Sequence, residues 1–158
     1  MGGVIIIGAT VVSTLLWGNL SNIYVWLGLA GLTLFGLIGF IDDFIKYRSH
    51  RSLGLNTRQK LILQITVSGL LALFLVLIGF KGKFDLHLTF PFIKEWTLYL
   101  GWLYLPWILF ILVGSSNAVN LADGLDGLAI GLTLISAAAL TALTYVAGHA
   151  IWSQYLNI

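Results

Sequence analysis

The chain has 158 residues, 59% of them hydrophobic and only 9% charged, with a net charge of +2 and no cysteine. Soluble domains carry about 25% charged residues, so this chain cannot cover a water-facing surface, and lipid is the solvent expected for much of it. Disulfides and thiolate metal sites are excluded, and the small net charge, with no basic patch interleaved with aromatics, gives no reason to expect nucleic acid.

At about 20 apolar residues per span, the length suits five spans and their loops. The expected fold is an all-α polytopic membrane protein, with one transmembrane domain over residues 1–158 that is itself partial. The first span covers residues 3–17, which is short but usable if the real start lies upstream. Met1 is followed at once by Gly-Gly and an apolar run, with no basic segment. No cleavable signal is therefore expected, and Met1 reads as an internal methionine of a longer protein. A turn at 18–22 leads to a second span at 23–41, a polar loop at 42–60, and a third span at 61–80.

In the next connection, 81–95, Phe84, Leu86, Leu88 and Phe90 alternate with Asp85, His87 and Thr89. That period of two predicts a short hairpin or strand at the membrane interface. The fourth span is 96–113, a polar stretch fills 114–127, and the fifth span is 128–147. Trp17, Trp26, Trp96, Trp102 and Trp152 fall near span ends, as an aromatic belt would, although ordinary lipid-facing aromatics would read the same. Five of the eight Lys and Arg residues (Lys46, Arg48, Arg51, Arg58, Lys60) lie in 42–60. Their bias makes that loop cytoplasmic. Counting spans then puts the hairpin outside and returns 114–127 to the cytoplasmic face.

Four of the six acidic residues form two pairs, Asp42/Asp43 and Asp123/Asp126. Neighbours on a helix point about 100° apart, so Asp42 and Asp43 cannot share a face and are expected to do different jobs. Lys46 lies four residues after Asp42 and can meet it. Two readings fit these residues: a solvated helix end with an ion pair, or a polar cluster for a phosphorylated substrate. In the second, carboxylates hold a divalent ion or take a proton while lysines neutralise phosphate. Arg48 and Arg51 read as topology charges, and His50 as a loop residue without a catalytic role. His87 and His149 fall on the opposite side from that cluster.

The row Asn117, Asn120, Asp123, Asp126 places a polar side chain at every third position of an oily chain. On a helix this makes a slanting stripe, although Gly124 and Gly127 favour a loop or helix start within it. Capping accounts for one aspartate at most, Asp123 or Asp126. Non-helical backbone at membrane depth lines protein or a water-filled cavity, so the stretch is a site candidate.

Three motifs, IDDFIK (41–46), GLNTRQK (54–60) and NAVNLADGLDGLA (117–129), resemble the bacterial phospho-N-acetylmuramoyl-pentapeptide transferase family. That family lies within the polyprenyl-phosphate N-acetylhexosamine-1-phosphate transferase superfamily. The similarity runs over essentially the whole chain, with Ala122 standing where the family usually has Thr. The resemblance implies transfer of phospho-MurNAc-pentapeptide from UDP to undecaprenyl phosphate, giving lipid I and UMP, with Mg2+ as cofactor. It implies Asp42 as the base toward the lipid phosphate, with Asp43 as its required neighbour, and Lys46 and Lys60 as phosphate contacts. By the same resemblance Asn120 helps hold magnesium. Asn117, Asp123 and Asp126 lie near the nucleotide-sugar, Asp126 closest to uracil.

The implied location is the bacterial inner membrane with the active-site loops in the cytoplasm, and a homodimer is the oligomer the family suggests. The family has ten spans, of which this chain matches about the second to sixth. A later Met-Gly-Asp segment with the main magnesium ligand, and a His-His-His segment, lie outside it. The chain alone is therefore expected to be an inactive fragment. Rival expectations are a GlcNAc-1-phosphate transferase of the same superfamily, a transporter, and a non-catalytic scaffold. Acids at span ends, rather than span centres, argue against transport.

Overall fold

A computed structural model describes residues 2–49, 54–90, 93–123, 127–149 and 152. Five helices occur among them: α1 (Gly2–Trp17), α2 (Ile23–Ser49), α3 (Thr57–Phe80), α4 (Tyr104–Ala122) and α5 (Leu128–Ala147). Strands β1 (His87–Phe90) and β2 (Ile93–Tyr99) form a two-stranded antiparallel hairpin between α3 and α4, as the alternation at 84–90 predicts. All helices but the 16-residue α1 are long and apolar enough to cross a membrane. At about 1.5 Å rise per residue, each of the four spans the roughly 30 Å hydrocarbon layer.

Four boundaries differ from the apolar pattern, one of them at α3, which begins at Thr57 and so takes Arg58 and Lys60 out of the expected 42–60 loop. Helix α2 continues through Ser49, so Asp42, Asp43 and Lys46 are helical and not in a loop. Nothing in DDFIKYRS breaks a helix, and Lys46 and Arg48 in its last turn suit the negative end of the dipole. Helix α4 likewise carries Asn117 and Asn120, expected in a connection. Conversely, residues 96–99 read as the start of an apolar span but form the end of β2, and α4 begins at Tyr104 with Pro106 in its first turn, where proline is tolerated.

The chain divides into two units. The first holds residues up to Leu86 together with Leu100–Val113. Here α2 packs on α1 and on α3. The buried line on α3 is Gln64, Ser68, Ala72 and Val76, one residue per four, so one face of α3 meets its neighbours within this unit. Small residues permit the close approach: Ala72 is fully buried, and Gly31 of α2 lies beside Leu71. At the far end Leu86 folds over Gly79, Phe80 packs on Trp102 at 4.9 Å, and Phe84 on Tyr104 at 5.5 Å. The Tyr24 hydroxyl donates to the Lys83 carbonyl.

The second unit holds His87–Tyr99 and the residues from Gly114 on. The hairpin register pairs His87 with Tyr99, Leu88 with Leu98 and Thr89 with Thr97, then shifts at a bulge before Phe90 pairs with Ile93. Trp96 and Leu98 are exposed. No residue of α5 is buried.

Hydroxyls in the helices mostly satisfy themselves. Thr10, Ser13, Thr33, Thr66, Thr133 and Thr141 each donate to the carbonyl four residues back, at 2.7–2.8 Å. That is the arrangement lipid demands. Ser68 is the exception: it is fully buried, and its Oγ has no partner among the described residues. Ser68→Ala is expected to raise stability by about 1 kcal/mol, because removing an unsatisfied buried hydroxyl removes its desolvation cost. Thermal unfolding in detergent reads this; a lowered Tm would show that the hydroxyl holds a bond.

Candidate functional site

The polar end of the α2–α3 pair concentrates four charges. Asp42 is only 8% exposed. Its Oδ2 lies 2.8 Å from Lys46 Nζ, one helical turn on, and 3.7 Å from Lys60 Nζ on α3. Its Oδ1 accepts the Leu55 N–H at 2.8 Å. Lys46 Nζ also stands 3.5 Å from Asp43 Oδ1, although Asp43 itself is exposed. The structure therefore brings Asp42, Asp43, Lys46 and Lys60 together and sets the two aspartates in different surroundings, as adjacent helical positions require. Asp43 borders a groove of about 230 Å³ between α1 and α2, whose other walls include Ile7, Gly36, Gly39 and Phe40.

Local sequence builds this corner. Asn56 caps α3 from an extended conformation, φ −62° and ψ 143°, and its N–H donates to the Gln59 side chain at 3.2 Å. The pattern Asn-x-x-Gln at 56–59 is a helix-start signature legible in the sequence. Lys60 then falls in the first turn of α3, where the helix dipole disfavours a cation. The Asp42 carboxylate offsets that penalty.

Each oxygen of Asp42 accepts one hydrogen bond, Oδ2 from Lys46 and Oδ1 from the Leu55 N–H, and Lys60 stands further off as an ion pair. Lys46 is the more exposed partner, its side chain 40% exposed against 19% for Lys60.

The second group belongs to the other unit. Asn117 and Asn120 occupy the last turns of α4, and Asp123 follows directly, its N–H still bonded to the Val119 carbonyl at 3.1 Å. Steps of three place these side chains on one slanting stripe, with Asn120 and Asp123 exposed. Asp126 lies outside the described residues, as do His50 and Arg51. Gly127 at φ 79° precedes α5 without a side-chain cap, and this left-handed geometry favours glycine. Among the described residues no three His, Cys, Asp or Glu side chains cluster as metal ligands.

Sequence reasoning passed over two contributors, the Leu55 amide and Gly54. Their signal was a glycine two residues ahead of a cap residue in a polar connection.

A profile of one family matches residues 25–157, described as Glycosyl transferase family 4. The chain belongs to glycosyl transferase family 4. Among curated members similar to it, the phospho-N-acetylmuramoyl-pentapeptide-transferase of Koribacter versatilis is 49% identical over 173 residues, covering 100% of this chain and 46% of the relative. That of Thermodesulfovibrio yellowstonii is 44% identical over 158 residues, covering 100% of this chain and 44% of the relative. That of Pelobacter propionicus is 46% identical over 158 residues, covering 100% and 43%. The chain thus spans less than half the length of the curated family 4 relatives it matches.

Proposed function

We propose that these residues form the acceptor-side part of a phospho-N-acetylmuramoyl-pentapeptide transferase in a bacterial cytoplasmic membrane. The observation that carries this is the buried Asp42 held between Lys46, Lys60 and the Leu55 amide at the polar end of two spanning helices. Phosphoryl transfer needs alignment and charge neutralisation more than covalent assistance from the protein. An oxygen of undecaprenyl phosphate attacks the phosphorus bearing the sugar of UDP-MurNAc-pentapeptide, and the bond from that phosphorus to UMP breaks. Asp42 and Asp43 receive the acceptor's proton and align its phosphate. Lys46 and Lys60 offset the phosphate charge. Asn117, Asp123 and Asp126 bind the nucleotide-sugar.

The two lysines and two aspartates cancel one another, so bound phosphates call for further positive charge. Asn120 and Asp123, three residues apart at the end of α4, offer hard oxygen donors. Of the two, Asn120 is the residue that would help hold Mg2+, an ion bound by one or two protein oxygens plus water and phosphate, while Asp123 stays with the nucleotide-sugar. When bound, Mg2+ neutralises charge on the transferred phosphoryl group. The excess of Lys and Arg in 42–60 supports a cytoplasmic position for that segment, with the β1–β2 hairpin outside.

The test is a chimera in which the 158 residues replace the matched positions of the Thermodesulfovibrio yellowstonii relative. In detergent with undecaprenyl phosphate it is expected to release UMP from UDP-MurNAc-pentapeptide and not from UDP-GlcNAc. The 158 residues alone are expected to release none. A folded chimera without turnover, or one preferring UDP-GlcNAc, would overturn the assignment.

A further inference from the structure

Gly54 has no chemistry of its own, yet it stands at the closest backbone approach to the charge cluster. A Cβ placed on it would collide with Asp42 Oδ1, and would sit 2.8 Å from the Asp42 carbonyl oxygen and 2.8 Å from Lys46 Cε. Two of those atoms cannot yield freely. The carbonyl belongs to the α2 backbone, and Oδ1 is fixed by the Leu55 N–H. Gly54 is not among the glycines with positive φ, which are Gly82, Gly101 and Gly127. The demand for glycine shown at this position is one of space.

The neighbouring bonds act in the same direction. Leu55 donates to Asp42, Asn56 starts α3 and is held by Gln59, and the Lys60 N–H returns to the Asn56 carbonyl at 3.0 Å. Residues 54–60 thus run without interruption from the Asp42 contact to the lysine that faces Asp42. A displacement at Gly54 is carried to Lys60 through the first turn of α3, and to Lys46 through direct crowding.

We propose that Gly54 is a positioning residue: its missing side chain lets the 54–56 segment close as a clasp on Asp42, which sets Lys46 and Lys60 at the phosphate-handling corner. The proposal rests on the transferase reading for its kinetic consequence, and on geometry alone for the clasp.

Two measurements test it. In the chimera described above, Gly54→Ala is expected to lower kcat between about 10- and 100-fold while leaving the donor KM within about twofold, as a misplaced charge at the reacting group does. Gly69→Ala on α3, where a Cβ meets nothing within 4 Å, is expected to leave both unchanged. In the 158-residue chain in detergent, Gly54→Ala and Asp42→Ala are expected to be non-additive, the double variant losing less Tm than the sum of the single losses. Unchanged kcat, a kcat loss that only tracks loss of folded protein, or additive Tm losses would each overturn the clasp. If the parent chimera is folded but inactive, the transferase reading falls and the Tm cycle alone judges the clasp. If Gly54→Ala does not fold, hydrogen exchange at the Leu55 amide decides. Asp42→Ala should accelerate it at least about tenfold, and an unchanged rate would refute the contact.

Discussion

Asp42→Ala in the chimera is expected to lower UMP release by about 10²- to 10³-fold, the scale on which a preorganised polar group at a reacting centre acts. It is also expected to cost about 2 kcal/mol of stability, mostly from the Leu55 N–H left without its acceptor. Lys46 adds little to that cost, because its half-exposed ammonium returns to water. Asp43→Ala makes the informative contrast. Asp43 is exposed and touches Lys46 only at 3.5 Å. Its removal should change stability by less than about 0.5 kcal/mol, as for other exposed pairs, while UMP release falls as steeply as for Asp42. Thermal unfolding beside UMP release separates the two. Equal Tm losses would show that Asp42 is not the structural hub, and full activity of either variant would remove that residue from the chemistry.

Asn120→Ala is expected to raise the half-saturating Mg2+ concentration of the chimera at least about tenfold, the range seen when groups supporting a bound metal are lost. Asn120 offers one neutral oxygen, so its loss weakens a Mg2+ site without adding charge to it. Asn117→Ala, one step earlier on the stripe, should raise donor KM and leave the Mg2+ requirement alone. Mn2+ binding followed by electron paramagnetic resonance gives a readout independent of turnover. Unaltered Mn2+ affinity in Asn120→Ala would exclude Asn120 from the metal site.

The long helices were legible because apolar runs of spanning length admit few other structures. Where each helix stopped was less legible. Apolarity marks the bilayer edge, whereas a helix ends where hydrogen bonding and capping end, so α2 and α4 carry their polar residues beyond the oily runs. The hairpin shows the converse. β1 announced itself by alternation, but the residues of β2 at 96–99 are apolar and aromatic and merge by composition with the run that becomes α4.

At the site, the Asp42–Lys46 contact followed from helical spacing, and the differing exposure of Asp42 and Asp43 from the turn between neighbours. The approach of Lys60 was not readable from spacing, because it depends on how the 50–56 connection returns to α2. The role of Gly54 was hidden for the same reason: space is a tertiary property, and a glycine in a polar loop has many ordinary explanations.

Asp42, Lys46, Leu55 and Lys60 all belong to the single helical hairpin α2–α3. Their meeting requires only a short loop closure, whose entropic cost is small. The hairpin can therefore compensate its own charges as it enters the bilayer, before α4 and α5 have been synthesised. A carboxylate that would be costly near hydrocarbon is escorted by lysines of the same insertion unit. Among the described residues, the charge balance of this corner is thus local to one hairpin and draws on no residue of α4 or α5.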